Sequence, residues 1–169
     1  MASVTELRAV DRRAVGALLA AYGLALEVLP EDSAITASYW GESEAGLVAN
    51  RVFVRADTPL HSVFHEAAHA IVMGPERRAR LVGDAGGDYA EEDAVCYLQI
   101  LLAEQLAGYG SAAMMADMDA WGYTFRLGSA RAWFEADAAE AAEYLAVRGL
   151  VRRGAYGWVL DLDRGAGAT

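Results

Sequence analysis

The segment HEAAH places two histidines and a glutamate in a pattern that could hold a metal ion. His65 and His69 are four residues apart, and residues at that spacing project from one face of an α-helix. Their ring nitrogens could therefore bind one tetrahedral Zn²⁺. Glu66 directly follows the first histidine and could take a proton from water at the metal's open position. The spacing predicts a zinc site with a general base beside it.

Chance and a purely structural role account for this pattern less well than a metal does. The chain has only three histidines, and a chance HExxH has an expectation of order ~0.01. A purely structural histidine pair would need hydrogen-bond partners inside the helix bundle. The residues around the motif are apolar, and polar side chains in such surroundings are costly unless a partner compensates them. A metal ion compensates them directly, so we favour metal binding.

A catalytic zinc site usually takes three protein ligands, so one more must come from elsewhere. The metzincin extension of the motif is excluded, because Val72 and Pro75 stand where it needs glycine and histidine. His61 lies one turn before His65, and one straight helix cannot easily surround an ion with three ligands. We interpret His61 as a residue that supports a ligand, lines the cleft, or lies on the helix surface.

Glutamates at the start of the next predicted helix are the candidates for the third ligand. Glu91 and Glu92 open that helix, which could pack beside the motif helix. Glu91 extends the apolar stripe of the helix by one turn, whereas Glu92 is rotated away by about 100°. We therefore predict Glu91 as the ligand, with the other acid complementing the helix dipole.

The elements that must position these residues follow from periodicity and turn signals. A helix is predicted over residues 4–22 and a strand over 24–29. Residues 34–40 and 46–57 have the alternating, β-branched character of strands, and GESEAG between them supplies turn residues. An antiparallel hairpin before the motif is the prediction.

Helices are predicted for the motif and for most of the chain that follows it. Asp57 or Thr58 could cap the motif helix, and Gly74 with Pro75 would end it. A glycine-rich loop comes next. Further helices are predicted from Glu91 to Gly108, from Ser111 to Trp121, and from Ser129 to about Arg148 with a break near Asp137.

The composition of the chain limits which partners and which cellular location we expect for the protein. The formal net charge of −10 repels the phosphate backbone, so nucleic acid is not an expected partner. No apolar run is long enough for a membrane span, and the first residues lack a secretory signal, so we expect a cytoplasmic protein. Cys96 is the only cysteine, which excludes an intramolecular disulfide. We expect a single domain over 1–169, with a flexible tail after about residue 162.

HEAAH followed by EEDA resembles the HExxH and downstream ExxA pairing of gluzincin zinc metallopeptidases. The likeness is strongest to compact members, such as the phage-repressor-cleaving metallopeptidases and their radiation-response relatives. Those families often have Asn or Asp after the alanine, where this chain has Val95. Longer segments are similar to a family of small bacterial proteins, a similarity that implies no substrate: YWGESEAGL, RADTPLHSVFHEAAH, EEDAVCYLQ and DMDAWGYTFRLGSARAWF.

The gluzincin resemblance implies a zincin-like α+β fold. In such a fold a small antiparallel sheet packs on the HExxH helix and on a following ligand helix, and the C-terminal part is helical. A strand edge above the zinc cleft would accept an extended peptide as an added strand. The resemblance also implies a Tyr or His that stabilises the oxyanion, for which Tyr123 is the best candidate, with Arg126 beside it.

Three functions are compatible with these observations. The leading one is a zinc-dependent hydrolase of peptide or amide bonds, with Glu66 as the general base. The alternative is a non-catalytic zinc-binding or protein-interaction module on the same scaffold. A metal-free interaction protein would instead use aromatic residues as its contact surface, namely Trp121, Tyr123, Phe125, Trp133 and Phe134. Glu66 favours the hydrolase, since a structural zinc site has no use for a base.

Overall fold

Helices and two small sheets form a mixed α+β fold in the computed structural model, which describes residues 3–38 and 43–163. The predicted α+β class is therefore confirmed. The helices are α1 Arg12–Ala20, α2 Leu60–Val72, α3 Pro75–Ala79, α4 Tyr89–Glu104, α5 Gly110–Trp121, α6 Ala130–Ala136 and α7 Ala139–Val147. The strands are β1 Ala25–Val28, β2 Gly46–Val48, β3 Arg51–Val54, β4 Val151–Gly154 and β5 Gly157–Leu160.

The first sheet is mixed, not the purely antiparallel sheet that the sequence predicted. Its order is β1-β3-β2, with β1 parallel and β2 antiparallel to β3. The hairpin lies inside the second predicted run, because Ala49 and Asn50 form a turn there, with Ala49 at a φ of 53°. In the first run, residues 34–37 form no strand and Ser38 makes one isolated bridge to Gly46. Residues 39–42 lie outside the described part of the chain.

The outer edge of β2 is used by a later segment of the chain. The Gly83 amide donates to the Leu47 carbonyl at 2.8 Å, and the Ala49 amide donates to the Leu81 carbonyl at 3.0 Å. Val48 and Val82 form an antiparallel bridge between these bonds. Because these backbone groups are already paired, an extended peptide cannot add to this edge without displacing residues 81–83.

The N-terminal helix is shorter than predicted, and the motif helix has the predicted extent but not the predicted Asp57 or Thr58 cap. Residues 4–22 contain a short 3₁₀ turn at Leu7–Ala9 and then α1, because the Asp11 carboxylate caps a new helix by accepting from the Arg13 amide at 2.9 Å. The helix α2 contains HEAAH and ends before Gly74. Its cap is Pro59, since the Thr58 hydroxyl accepts from the Arg55 amide instead.

The helix α4 lies at the centre of the fold. Every residue from Ala94 to Ala103 is buried, and α4 packs against α2, α5 and α7. A helix that is apolar on all sides is typical of such a central position. The same property means that its apolar stripe does not identify the side that faces α2. Among the described residues, no helix combines the length and apolar character needed to cross a membrane.

The C-terminal part is helical, as predicted, but it ends in a hairpin that was not predicted. Ser129 caps α6, and the backbone breaks at Asp137 before α7 begins. The strands β4 and β5 then form a two-stranded antiparallel sheet. Their sequence, VRRGAYGWVL, has a glycine on each side of a two-residue turn and β-branched or aromatic residues in the strands, which is a hairpin signal. Residues 164–169, which hold most of the predicted tail, lie outside the described residues.

A large-to-small substitution in the core measures how much the stability of the fold depends on α4. Leu98 is fully buried in this helix, so Leu98→Ala should lower the free energy of unfolding by about 2–5 kcal/mol. Val147→Ala is the control, since Val147 in α7 is 83% exposed and its truncation should change stability by no more than about 0.5 kcal/mol. Urea denaturation followed by circular dichroism measures both, and equal losses would contradict a central role for α4.

Candidate metal centre

The packing of α2 against α4 brings two imidazoles and one carboxylate together. His65 Nε2 lies 3.0 Å from Glu92 Oε1, and His69 Nε2 lies 3.2 Å from Glu92 Oε2. One ligand atom from each residue lies within 4.8 Å of the other two. The predicted histidine pair therefore points at a single acidic partner on the neighbouring helix.

The geometry of this cluster fits a metal ion. Ligand atoms around a tetrahedral Zn²⁺ are about 3.4 Å apart when the metal–ligand bonds are 2.0–2.1 Å, and one ligand atom from each of the three residues lies within 4.8 Å of the other two, so a small movement of these side chains would let them share an ion. The two imidazole rings are nearly perpendicular, at 85°, with centroids 4.8 Å apart. Two histidines and one glutamate form the ligand set of a common class of catalytic zinc site. Imidazole also suits other divalent transition metals, so the donor set alone does not select zinc.

The carboxylate at the histidines belongs to Glu92, and this corrects the prediction of Glu91. The Glu91 carboxylate turns away and forms an ion pair with Arg77, whose Nη1 lies 2.7 Å from Oε1. We predicted Glu91 because it extends the apolar stripe of α4 by one turn. Since α4 is buried on all sides, that stripe does not mark the side of the helix that faces α2. Gln99, two turns after Glu92, also reaches the motif helix. A glutamine within the apolar run CYLQILLA was the signal that marks this side.

Arg77 and Glu91 hold the loop beside the metal cluster. Arg77 Nη2 donates to the Ala85 carbonyl at 2.5 Å while Nη1 pairs with Glu91. Gly87 adopts a φ of 103°, and a Cβ there would lie 2.3 Å from Glu91 Oε2. Glycine is therefore required where the loop passes the Glu91 carboxylate.

The pKa values of Glu92 and His65 are shifted in opposite directions by their contacts in the cluster. Burial alone would raise the pKa of the Glu92 carboxyl, but hydrogen bonds from His65 and His69 hold that pKa well below its usual range. Burial opposes protonation of His65, yet Tyr123, Cys96 and Glu92 together raise its pKa well above the usual value. The carboxylate is thus charged and paired with histidine, and a divalent cation would replace the proton between them.

Two cavities meet at the cluster. The larger, which we call the main cleft, has a volume of about 500 Å³, and the smaller, the loop cleft, has about 290 Å³. His65, Glu66 and Glu92 line both cavities. The main cleft is completed by Glu44, His61, Ser62, Trp121, Gly122 and Tyr123, and the loop cleft by His69 and residues 83–87.

Glu66 has the surroundings that a general base needs. Its side chain is largely buried, and burial raises the pKa of its carboxyl, although His65 and His69 oppose this rise. A carboxylate with a raised pKa is a stronger base near neutral pH. Since Glu66, His65 and Glu92 line both cavities, the Glu66 carboxylate borders the space beside the cluster.

Of the two candidates for stabilising an oxyanion, Tyr123 lines the main cleft and Arg126 does not. The Tyr123 hydroxyl is 3.1 Å from His61 Nδ1, and burial raises the pKa of Tyr123 to about 12. The phenol therefore stays protonated at neutral pH and can donate a hydrogen bond. Arg126 is instead exposed and pairs with Asp137 at 2.6 Å, and it lines neither the main cleft nor the loop cleft.

His61 is buried in the wall of the main cleft and is not part of the ligand cluster. Its ring packs against those of Trp121 and Tyr123, with centroids 4.9 Å and 5.4 Å away. Burial lowers the pKa of His61 to about 4, so its imidazole is neutral at pH 7. Within the described residues its Nε2 has no hydrogen-bond partner. Of the three roles considered for His61, cleft lining is the one that the structure supports.

The main cleft also contains a residue that the sequence did not single out. Glu44 lines it, and burial raises the pKa of this carboxyl, although a hydrogen bond with Trp121 and the charge of His65 oppose the shift. Glu44 belongs to the polar segment GESEAG, where nothing distinguishes it from an ordinary turn residue. Only the tertiary arrangement reveals its position.

No protein-family model, no curated protein and no solved structure matches this chain. The gluzincin resemblance therefore rests on the two short motifs and on the cluster that they form. Its carboxylate comes from the second glutamate of EEDA, one position later than the ExxA pattern implies.

Paired glutamine substitutions test which of the two glutamates would serve as a metal ligand. Glu92→Gln removes a charged ligand, so the zinc affinity should fall by more than the roughly 10- to 100-fold typical of losing an outer partner. Glu91→Gln is the matched control, because the new amide oxygen could still accept from Arg77, and its zinc affinity should stay within about 3-fold of wild type. Competition with a chromophoric chelator measures both. The reverse order of effects would mean that Glu91 is the ligand.

Proposed function

We propose that this chain is a small zinc-dependent hydrolase of the gluzincin type that cleaves a peptide or amide bond. The observation that carries the proposal is the cluster of His65, His69 and Glu92 with Glu66 beside it in the same cavities. In this proposal the first three residues hold the metal. A cytoplasmic location and a single-domain organisation stay predictions.

Each residue of the site has a separate chemical role in the proposed reaction. A zinc ion held by the cluster would supply Lewis acidity and a water molecule of lowered pKa. Glu66 would accept a proton from a water molecule that attacks the carbonyl carbon, and would then deliver that proton to the leaving amine. The protonated Tyr123 hydroxyl donates to the oxyanion of the tetrahedral intermediate. These roles are compatible with the lining of the main cleft by Glu66 and Tyr123.

The charge around the clefts favours one kind of peptide. The described residues lining them include the acids Glu44, Glu66, Glu92 and Asp84 and no lysine or arginine. The chain as a whole has a formal net charge of −10. The negative charges that line the cavities would repel an acidic peptide. Neutral or basic peptides would therefore enter these cavities more readily than acidic ones.

One structural observation favours the non-catalytic alternative. The outer edge of β2 is paired with residues 81–83, so a substrate cannot add there as a strand in the way that the gluzincin resemblance implies. A zinc-binding or protein-interaction module would not need that edge. Glu66 is the residue that distinguishes the two functions, because a module has no use for a buried carboxylate with a raised pKa.

Glu66→Gln tests catalysis separately from metal binding. The substitution removes the base but keeps the shape of the side chain, so hydrolysis should fall by about 10²- to 10⁴-fold. Zinc affinity should be unchanged, since Glu66 is not part of the ligand cluster. The readout is cleavage of a library of internally quenched fluorogenic peptides by zinc-loaded protein.

Glu76→Gln is the control for this experiment, because Glu76 is an exposed residue of α3 and its loss should leave both zinc affinity and cleavage unchanged. Full cleavage by a zinc-loaded Glu66→Gln protein would exclude the proposed mechanism. Zinc binding by the wild type without cleavage of any peptide would favour the module.

A further inference from the structure

Gln99 is a fully buried amide in the middle of α4. Its Oε1 lies 3.0 Å from Nδ1 of His65, and its Nε2 donates to the main-chain carbonyl of His61 at 2.9 Å. The same Nε2 lies 3.4 Å from Met114 Sδ and 3.5 Å from the Tyr123 hydroxyl. One side chain thus contacts a histidine of the metal cluster, the backbone of α2 and a wall of the main cleft.

These contacts determine which way the amide points. A main-chain carbonyl can only accept a hydrogen bond, so the atom facing the His61 carbonyl must be the NH₂ group of Gln99. The atom facing His65 is then the amide oxygen, which is only an acceptor. His65 Nδ1 must therefore carry a proton and donate it. In a neutral imidazole the lone pair is then on Nε2, the atom that faces Glu92.

The two histidines of the cluster differ in this respect. His69 Nδ1 is buried and has no hydrogen-bond partner among the described residues. Of the two, only His65 has a side chain that fixes both its tautomer and the orientation of its ring. Metal-bound histidines usually donate their other ring N–H to such a partner, so Gln99 provides for His65 a contact that His69 lacks.

We propose that Gln99 is the positioning residue of the site. Its amide oxygen holds the His65 ring with Nε2 directed at Glu92 and the metal position, and the bond from its amide nitrogen to the His61 carbonyl only fixes which end of the amide faces His65. This inference rests on the proposed function in so far as it needs the cluster to bind zinc. Gln99 itself does not touch the metal or the substrate.

Substitutions at Gln99 separate positioning from simple packing. Gln99→Met keeps the volume but removes the acceptor, so zinc affinity should fall by about 10- to 100-fold. A folded Gln99→Glu variant keeps an acceptor for His65 Nδ1 while losing the donor to the His61 carbonyl, and should restore affinity to within about 3-fold of wild type. Gln105→Met is the control, because Gln105 is an exposed residue at the end of α4 and should leave the affinity unchanged.

Chelator competition for zinc gives these affinities, with circular dichroism to establish that each variant is folded. Wild-type affinity in Gln99→Met would overturn the inference, and so would an equal loss in Gln99→Glu, since Gln99 would then act only through the His61 carbonyl. A wild-type protein that binds no zinc would overturn the proposed function and this inference together. If the wild-type protein binds zinc, the affinities of the Gln99 variants test this inference alone.

A second measurement needs no variant. In zinc-loaded wild-type protein, ¹⁵N–¹H correlation of the histidine rings distinguishes a metal-bound nitrogen from a protonated one. We expect His65 to be protonated at Nδ1 and bound through Nε2. Zinc on Nδ1 of His65, or a ring with no slowly exchanging Nδ1 proton, would contradict the proposed role of Gln99.

Discussion

The contact between α2 and α4 is the interaction on which the rest of the structure depends. It buries an apolar interface and brings together His65, His69, Glu66 and Glu92, of which Glu66 and His69 are buried while the Glu92 side chain is 45% exposed. Taking charged groups out of water costs free energy that close partners offset, and the partial exposure of Glu92 makes this cost smaller. Here the partners are the histidine–glutamate contacts and the Gln99 amide. A bound cation would compensate the same groups more completely, and would thereby stabilise the packing of the two helices.

The parts that the sequence predicted well are those decided by local chemistry. The motif helix, its end before Gly74, the Ser129 cap and the break at Asp137 follow from turn and capping residues. Glu92 was missed because the choice between adjacent residues of a fully buried helix depends on how α4 is rotated against α2, which the apolar pattern does not encode. The position of the hairpin was missed because two residues in the middle of an apparent strand form its turn.

The surroundings of the cluster combine features of an enzyme and of a closed module. Glu66 and Tyr123 border a cleft of about 500 Å³, large enough for a few residues of a peptide. The outer edge of β2 is paired with residues 81–83, so a peptide cannot add there as a strand. The loop that follows is held by the pair of Arg77 and Glu91. A molecule bound in the main cleft would instead contact Trp121 and Tyr123, which line it.

Metal content is the most direct test of the central claim. Elemental analysis of the purified protein, beside a His65→Ala/His69→Ala double variant, measures whether the cluster holds an ion in solution. We expect about one zinc per chain in the wild type and none in the variant. No zinc in the wild type, even after incubation with the metal, would reduce the cluster to a buried histidine–glutamate pair and contradict the account.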